Sequence, residues 1–418
     1  MGTGNGARSS DTFKFDAGVL SLAWVPFVMV LGNSILIPVI PAMQAALHLS
    51  PASSGLVITA FSVPAGLLIP FAGFLADRWG RKAVMVPGLI VFSAGGLIAV
   101  AAALVLKDRA FGLLMAGRVV QGLGAAGTAN IAMALAGDLF TGKARGQAMG
   151  VLEASNGLGK VTSPILGAAL GLLAWYAPFV FFTVLAVPVA LAVGFLTRDV
   201  RPSARASVKE YLGRLLEVSK RKGLALGAAF LAGMSALFLL FGTLFYLSEV
   251  LERDFHIEGV LKGLVLAVPV LASSVMAYLS GAYLQGRCDR RYLVSGGLGL
   301  IAVSLVGAAF LRHPFLLFGA VLLVGVGTGT ALATLNVLVT SAVPRTERGM
   351  VTSEYGAVRF FGVAVGPPVF GLLMGRGPTA TFLVAALVAA VAAVAALAFI
   401  DERRLMGTAG GTGSAGRA

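Results

Sequence analysis

The sequence has few charged residues and few residues of the kinds that usually do chemistry. Only 12% of its 418 residues are Asp, Glu, Lys or Arg, whereas a soluble domain carries about 25%. This shortage excludes an ordinary soluble fold. The single cysteine, Cys288, excludes an internal disulfide. The residues form no metal, phosphate-binding or nucleophile constellation, so we expect no cofactor, no metal site and no enzymatic activity.

Hydrophobic residues, by contrast, make up 58% of the chain. A helix that crosses the hydrocarbon layer of about 30 Å needs roughly 20 apolar residues, and runs of this length recur from Val19 to Ile400. The sequence therefore predicts an integral membrane protein of twelve helices. The predicted spans are 18–41, 53–76, 83–106, 111–137, 147–173, 177–197, 223–249, 263–284, 293–311, 315–342, 350–374 and 380–400.

The positive charges are unevenly divided between the predicted loops. The net charge is +14, but the basic residues lie between the apolar runs and do not form one exposed face, which argues against a nucleic-acid partner. Twenty-three of them lie on the side of the two termini and six lie in the opposite loops. Because basic loops stay in the cytoplasm, we predict that the chain spans the plasma membrane with both termini inside.

The longest polar connection divides the predicted spans into two sets of six. It contains eight basic residues and an amphipathic stretch from Val208 to Val218, which we expect to lie along the cytoplasmic surface. The predicted organisation is a cytoplasmic N-terminal segment (1–17), an N-terminal six-helix bundle (18–197), a cytoplasmic linker (198–222), a C-terminal six-helix bundle (223–400) and a disordered cytoplasmic tail (401–418).

The two halves also repeat one another in sequence. Three landmarks of the first half recur 203 positions later, as in transporters that are built from repeated bundles. The matching pairs are Arg145-Gly146 with Arg348-Gly349, Gly159-x3-Ser163-Pro164 with Gly362-x3-Gly366-Pro367, and Gly122-x-Gly124 with Gly325-x-Gly327.

Four motifs resemble those of one transporter family. The loop after span 2 reads Gly73-Phe-Leu-Ala-Asp-Arg-Trp-Gly-Arg-Lys82, and span 4 carries Arg118-Val-Val-Gln-Gly-x-Gly124. Span 1 ends in Pro38-Val-Ile-Pro41, and span 5 carries Gly150-x8-Gly159-x3-Ser-Pro-x2-Gly167. Over nearly its whole length the chain resembles the major facilitator superfamily, in its twelve-helix drug:proton antiporter branch. Two stretches are most similar to bacterial exporters of the bacillibactin (siderophore) type. They are Asn33-Ser-x-Leu-Ile-Pro38 in span 1 and Glu153-Ala-Ser-Asn-Gly-Leu-Gly-Lys160 in span 5.

The resemblance implies a fold and two structural roles. The fold is an all-α membrane protein of two pseudo-symmetric six-helix bundles. Asp77 would meet the end of span 11, and Arg81 would lie near Asp138, so that these three residues form a conformational latch. The alternative is that the basic residues of this loop only fix topology. The residues expected to allow close helix packing are Gly150, Gly159, Ser163, Pro164 and Gly167. Gly159, Ser163, Gly167 and Gly171 form a stripe of small residues, and the resemblance implies that span 8 packs against it.

Charged residues inside the predicted spans are candidates for proton coupling, since a charge within the bilayer is costly and marks function by default. Arg118 matches an arginine that the family links to proton transfer. Glu153 shares one face of span 5 with Asn156 and Lys160, which makes it our first candidate for the proton carrier. Glu354 is the alternative, either as a carrier or as a structural carboxylate near a helix end.

The leading hypothesis is proton-coupled export of small amphiphilic or hydrophobic compounds by alternating access. The expected partners are the transported compound, protons and the lipid bilayer, and we expect a monomer. A carrier of the same fold for metabolite uptake is the alternative, and an intramembrane enzyme would need clustered catalytic residues that the sequence lacks. The residues predicted to line the substrate cavity are Asn33, Gln121, Asn156, Lys160, Tyr246, Tyr355 and Arg359.

Overall fold

The computed structural model describes residues 16–199, 208–285, 287–310, 314–343 and 348–401. Within these ranges the chain is helical apart from short turns, and it forms no strand. The helices are α1 (Ala17–Ser34), α2 (Ile40–Leu47), α3 (Pro51–Trp79), α4 (Arg81–Leu106), α5 (Phe111–Ala125), α6 (Thr128–Leu139), α7 (Gly142–Gly171), α8 (Ala177–Leu196), α9 (Val208–Arg253), α10 (Gly259–Leu279), α11 (Arg290–Phe310), α12 (Pro314–Ser341), α13 (Arg348–Met374) and α14 (Pro378–Phe399).

The helices coincide with the predicted spans. Eleven of them, counted over the described residues with α1–α2 and α5–α6 each as one span, are long and apolar enough to cross a membrane. The remaining predicted span, the fifth, is α7, whose 30 residues extend about 45 Å at 1.5 Å per residue. It is less apolar than the others because it carries Lys143, Arg145, Glu153 and Lys160. The prediction of an all-α membrane fold is confirmed.

Two spans are interrupted. The first span runs through α1, a 3-10 turn at Ile37–Val39 and α2, where Pro38 and Pro41 cannot donate backbone hydrogen bonds. The fourth span breaks between α5 and α6 at Gly127, whose φ is +72°, a conformation that favours glycine. Such breaks release backbone carbonyl groups from the helix, and those groups must find other partners.

The described residues fall into two compact units. Unit 1 takes them from residues 1–206, 244–268 and 367–372, and unit 2 takes them from residues 207–243, 269–366 and 373–418. Unit 1 thus contains the end of α9, the start of α10 and a short part of α13, all of which the sequence assigns to the second half. The proline pair of α13 lies so close to α3 that a Cβ built on Gly55 would be 2.6 Å from the Pro368 nitrogen.

The predicted linker is partly helical. Helix α9 extends without a break over 46 residues from Val208, so the amphipathic stretch joins directly to the seventh span. The rest of the linker at 200–207, the N-terminal segment up to residue 15 and the tail from residue 402 lie outside the described residues.

Candidate functional site

The centre of unit 1 is a buried arginine. Arg118 of α5 is 0% exposed and donates hydrogen bonds to four oxygens: the backbone carbonyls of Gly32 (2.8 Å) and Val57 (3.0 Å), and the side chains of Asn33 (3.0 Å) and Gln121 (2.9 Å). Its guanidinium carbon also lies 4.5 Å from the centre of the Phe61 ring. All four acceptors are uncharged, so a dense set of dipoles holds this cation.

The break in the first span supplies one of these acceptors. At the end of α1, the Leu36 N–H donates to the Asn33 carbonyl, one residue later than in a regular α-helix. The Gly32 carbonyl therefore loses its usual partner in the helix, and Arg118 donates to it instead. The position of the proline-induced break determines where the arginine is held.

Two residues predicted to line the substrate cavity belong to this arginine site. Asn33 is 6% exposed and Gln121 is 0% exposed, and the Asn33 amide also donates to the Ser62 hydroxyl at 2.8 Å. In the structure their side chains hold Arg118 inside unit 1, so a contact with substrate would require this network to rearrange.

The residues of the predicted latch lie together at one end of unit 1, and we call Asp77, Arg81 and Asp138 the Asp77 cluster. Arg81 lies 2.6 Å from the Asp77 carboxylate and 3.2 Å from that of Asp138. The α3–α4 turn brings them together through Gly80, whose φ of +110° and ψ of 150° are essentially restricted to glycine. Asp77 and Asp138 remain 60% and 42% exposed at their side chains, so the cluster is solvated.

A second cluster, at the α2 end of unit 1, was not predicted from the sequence. We call Gln44, Ser54, Glu249, Glu252 and Lys262 the Gln44 cluster. The Gln44 amide donates to the Glu249 carboxylate and, at 2.8 Å, to the Ser54 hydroxyl, while Lys262 pairs with Glu252. Glu249 is 7% and Lys262 2% exposed. The cluster therefore buries charges from α9 and α10 against α2 and α3.

A tight reversal between α9 and α10 forms the ion pair of this cluster. The turn passes through His256 and Gly259, with φ values of 53° and 59°, and returns Lys262 to within reach of Glu252 ten residues earlier. The sequence does not single out these residues, because they lie at or just outside the ends of the predicted spans 223–249 and 263–284. Two acids one turn apart at the end of an apolar run were the available signal.

The polar face of α7 carries the first candidate for the proton carrier. Glu153 and Lys160 are exposed and Asn156 is half-buried. On the other side of α7, an apolar groove of about 480 Å³ runs along its contact with α1, and its lining includes Trp24, Phe27 and Leu158. Leu158 is five positions after Glu153 and so about 140° round the helix. The three polar residues thus point away from this groove.

The stripe of small residues on α7 packs mainly against α1, whereas the resemblance implied span 8. A Cβ on Gly159 would lie 3.3 Å from the Phe27 ring, and one on Gly167 would collide with the Ile35 carbonyl. Helix α10 instead contacts the face about 100° away, where a Cβ on Gly263 would lie 2.6 Å from the Pro164 carbonyl oxygen.

Ser163 of this stripe and Gly150, earlier on α7, differ in their surroundings. Ser163 is fully buried and donates to the Gly159 carbonyl at 2.6 Å. Gly150 lies outside the contact, because a Cβ built there meets no atom within 4 Å. Among the glycines of the motif, the close contact therefore begins at Gly159, about two and a half turns after Gly150.

Unit 2 contains a second polar site, on α9, α12 and α13. Tyr355 is 2% exposed, and its ring lies 5.7 Å from that of Phe230 between centroids. Arg359 lies over the Tyr355 ring at 5.2 Å and donates to the Asn336 side chain at 3.3 Å. One carboxylate oxygen of Glu354, also on α13, is buried and has no hydrogen-bond partner in the described part of the chain.

The predicted cavity residues are consequently distributed over both units. Tyr355 and Arg359 lie together in unit 2, as just described. Tyr246, near the end of α9, is 4% exposed and belongs to unit 1, together with Asn33, Gln121, Asn156 and Lys160. Glu153 and Glu354, the two candidate proton carriers, likewise lie in different units.

Comparison with known proteins agrees with this architecture. The profile of the Major Facilitator Superfamily matches residues 22–251 and 229–417. The chain is 37% identical to the bacillibactin exporter of Bacillus subtilis (strain 168) over 390 residues, which cover 92% of this chain and 97% of that protein. It is 28% identical to the multidrug efflux protein YfmO of the same organism, over 85% of this chain and 86% of YfmO.

A solved structure shows the same fold at lower sequence similarity. The crystal structure of a D-xylose-proton symporter superposes with a TM-score of 0.72 at 12% identity, over 92% of this chain and 98% of that one. The profile match covers nearly the whole sequence, and the helices have the expected number and order. The chain belongs to the Major Facilitator Superfamily and is a multi-pass membrane transporter.

Proposed function

We propose that this protein exports small amphiphilic or hydrophobic compounds from the cell in exchange for protons. One observation carries the direction of transport: the chain is 37% identical, over 92% of its length, to a protein that is named an exporter. The similarity to a multidrug efflux protein supports the same direction. We expect the protein to act as a monomer in the plasma membrane.

Alternating access is the proposed mechanism. Residues 18–197 and 223–400 would form the two six-helix bundles that rock about a central substrate path. The Asp77 cluster would bias this equilibrium, because its ion pairs can form in one arrangement of the helices and break in another. Its exposure supports such a role, since pairs that are partly solvated can separate at a modest cost in free energy.

Glu153 would bind and release the coupled proton, and Glu354 is the alternative. Both are carboxylates within helices that cross the membrane. Glu153 has the additional support that it shares a face with Asn156 and Lys160 and is accessible in the structure. Arg118 would take part by moving relative to a carboxylate, because a nearby cation favours the charged form of an acid.

Transport in proteoliposomes tests the proposal. The purified protein is reconstituted and the movement of ethidium is followed with and without an imposed pH gradient. We expect accumulation on the side from which protons leave, and Glu153→Gln should abolish it while Glu258→Gln, in the exposed turn before α10, leaves it unchanged. If Glu153→Gln transports normally and Glu354→Gln does not, the proton rides on Glu354. Movement of a solute together with protons would favour uptake.

The orientation can be tested without a mutation. Cys288 is the sole cysteine in the sequence and is exposed, beside Arg287, Arg290 and Arg291 in a loop that we assign to the cytoplasm. A membrane-impermeant maleimide should label it in inverted membrane vesicles and leave it unlabelled in intact spheroplasts. Labelling in spheroplasts would place this loop outside and reverse the proposed topology.

A further inference from the structure

Arg118 of α5 in unit 1 and Arg359 of α13 in unit 2 both lie within membrane-spanning helices, and their surroundings differ. Arg118 donates to four protein oxygens, as described above. Arg359 has one such contact, to the Asn336 side chain at 3.3 Å, and no carboxylate among the described residues lies within ion-pair distance of it. A cation within the bilayer normally pairs with an opposite charge or with backbone carbonyls. Among the described residues, Arg359 has only one hydrogen-bond partner, the Asn336 side chain.

Arg359 and the neighbouring Tyr355 each have a hydrogen-bond donor without an acceptor among the described residues. The Nε of Arg359 is buried and lacks a partner among the described residues. The hydroxyl of Tyr355 also lacks one, and Tyr355 is only 2% exposed. Burying such donors without acceptors destabilises the protein unless a ligand or water accepts from them. An arrangement of a guanidinium and a phenol, both with free donors, is suited to an oxygen that carries negative charge.

The walls of the site are apolar and tightly fitted. The Tyr355 ring contacts both the Arg359 guanidinium and the Phe230 ring. On the α9 side it lies against Gly233, where a Cβ would be 2.6 Å from Tyr355 Cε2 and 2.7 Å from its hydroxyl oxygen. Glycine at this position therefore allows the phenol to lie against the α9 backbone, with an aromatic surface next to the donors.

The internal repeat relates this site to the polar face of α7. At the offset of 203 residues that joins the two halves, Arg359 occupies the position of Asn156, just as Gly362 occupies that of Gly159. Asn156 lies on the face that carries Glu153 and Lys160. The repeat thus gives the corresponding face of α13 a fixed positive charge where α7 has a neutral amide.

We propose that Arg359, Tyr355 and Asn336 form the part of the substrate path that binds an oxyanion, such as a carboxylate, on a compound with a flat apolar body. The inference rests on the proposed transport function and adds amphiphilic anions as a substrate class that this site would recognise. The guanidinium and the phenol donate to the oxyanion, and the Phe230 and Tyr355 rings contact the apolar body. Guanidinium is favoured over ammonium for such groups because its planar fork matches a carboxylate.

Binding of a matched pair of probes tests this site. The probes are 2-naphthoate and its neutral isostere 2-naphthamide, titrated calorimetrically into the full-length protein in lipid nanodiscs. We expect the wild-type protein to bind the acid at least tenfold more tightly than the amide. Arg359→Gln should weaken binding of the acid by roughly tenfold or more, as expected for losing a hydrogen bond to a charged group, and leave binding of the amide within twofold.

Two further variants separate recognition from misfolding. Tyr355→Phe removes only the hydroxyl and should weaken binding of 2-naphthoate severalfold. Gly233→Ala should weaken it to a similar extent, because the added methyl group displaces the Tyr355 ring. Arg376→Gln, at an exposed arginine after α13, is the matched control and should bind both probes as the wild type does. Equal binding of acid and amide to the wild type, detectable binding of neither, or unchanged binding of the acid by Arg359→Gln overturns the site.

The transport assay distinguishes failure of this site from failure of the proposed function. If ethidium is transported in response to a pH gradient but the acid and amide bind equally, the result supports proton-coupled export and refutes the anion site. If naphthoate binding depends on Arg359 but no solute moves in response to a pH gradient, the result supports the anion site and refutes proton-coupled export.

Discussion

The two ends of unit 1 are held by ionic clusters of opposite character. The Asp77 cluster consists of residues from the end of α3, the start of α4 and the end of α6, and its carboxylates are 42% to 60% exposed. The Gln44 cluster joins α2, α3, α9 and α10, and its lysine is 2% exposed. Solvated pairs contribute little to stability, whereas a buried charge that loses its partner is strongly destabilising. The two clusters should therefore respond very differently to the same kind of mutation.

The largest effect is expected for Lys262→Met. This change leaves Glu252 without its cation and also removes a favourable charge near the buried Glu249. Breaking a buried pair costs roughly 3 to 5 kcal/mol, and we expect the lower end because the Glu252 side chain is 28% exposed. The measurement is the free energy of unfolding by SDS titration in mixed micelles.

A neighbouring ion pair provides the control for this prediction. Arg253 and Asp254 form a pair with side-chain exposures of 65% and 44%, in which the hydrogen bond from Arg253 lowers the pKa of the Asp254 carboxyl. Arg253→Gln should change the free energy of unfolding by about 1 kcal/mol or less. If Lys262→Met costs no more than Arg253→Gln, burial does not distinguish the two pairs.

An intermediate effect is expected for Gln44→Leu. It removes the amide that donates to the Glu249 carboxylate, and a buried charged group that loses a hydrogen bond costs roughly 1.5 to 3 kcal/mol. The same SDS titration measures it, and Ser54→Ala is the control, because it removes only neutral hydrogen bonds, from Gln44 and to the Pro51 carbonyl. Restored stability in the double variant Gln44→Leu, Glu249→Leu would show that the unpaired charge causes the loss.

The smallest effect on stability is expected for Asp77→Asn. It weakens an exposed pair with Arg81, so the free energy of unfolding should change by less than about 1 kcal/mol. The ethidium transport rate should nevertheless fall, because the change removes a bias between conformations and leaves the packing intact. Asp138→Asn, at the other partner of Arg81, should have a weaker effect of the same kind. Normal transport by Asp77→Asn would leave the loop with only a topological role.

The two clusters also show what sequence reasoning could reach. Asp77 and Arg81 are four residues apart within one motif, and the resemblance that this motif carries implied that they form a latch with Asp138. Gln44 and Glu249 are 205 residues apart, and no local pattern relates them. Lys262 looked like a loop residue because it follows the turn at Gly259 by one helical turn. Its burial depends on how α9 and α10 return onto α2 and α3.

Hydropathy alone determined the membrane-spanning helices of this protein, because a bilayer requires long apolar segments whose backbone groups bond within the helix. The spacing of the repeated glycine and proline landmarks determined that the chain is built twice. Only the tertiary structure decided the surroundings of its charges. Arg118 is held because a break in the first span releases the Gly32 carbonyl, and Arg359 retains free donors because α12 provides a single amide. These differences depend on contacts between helices that are distant in sequence.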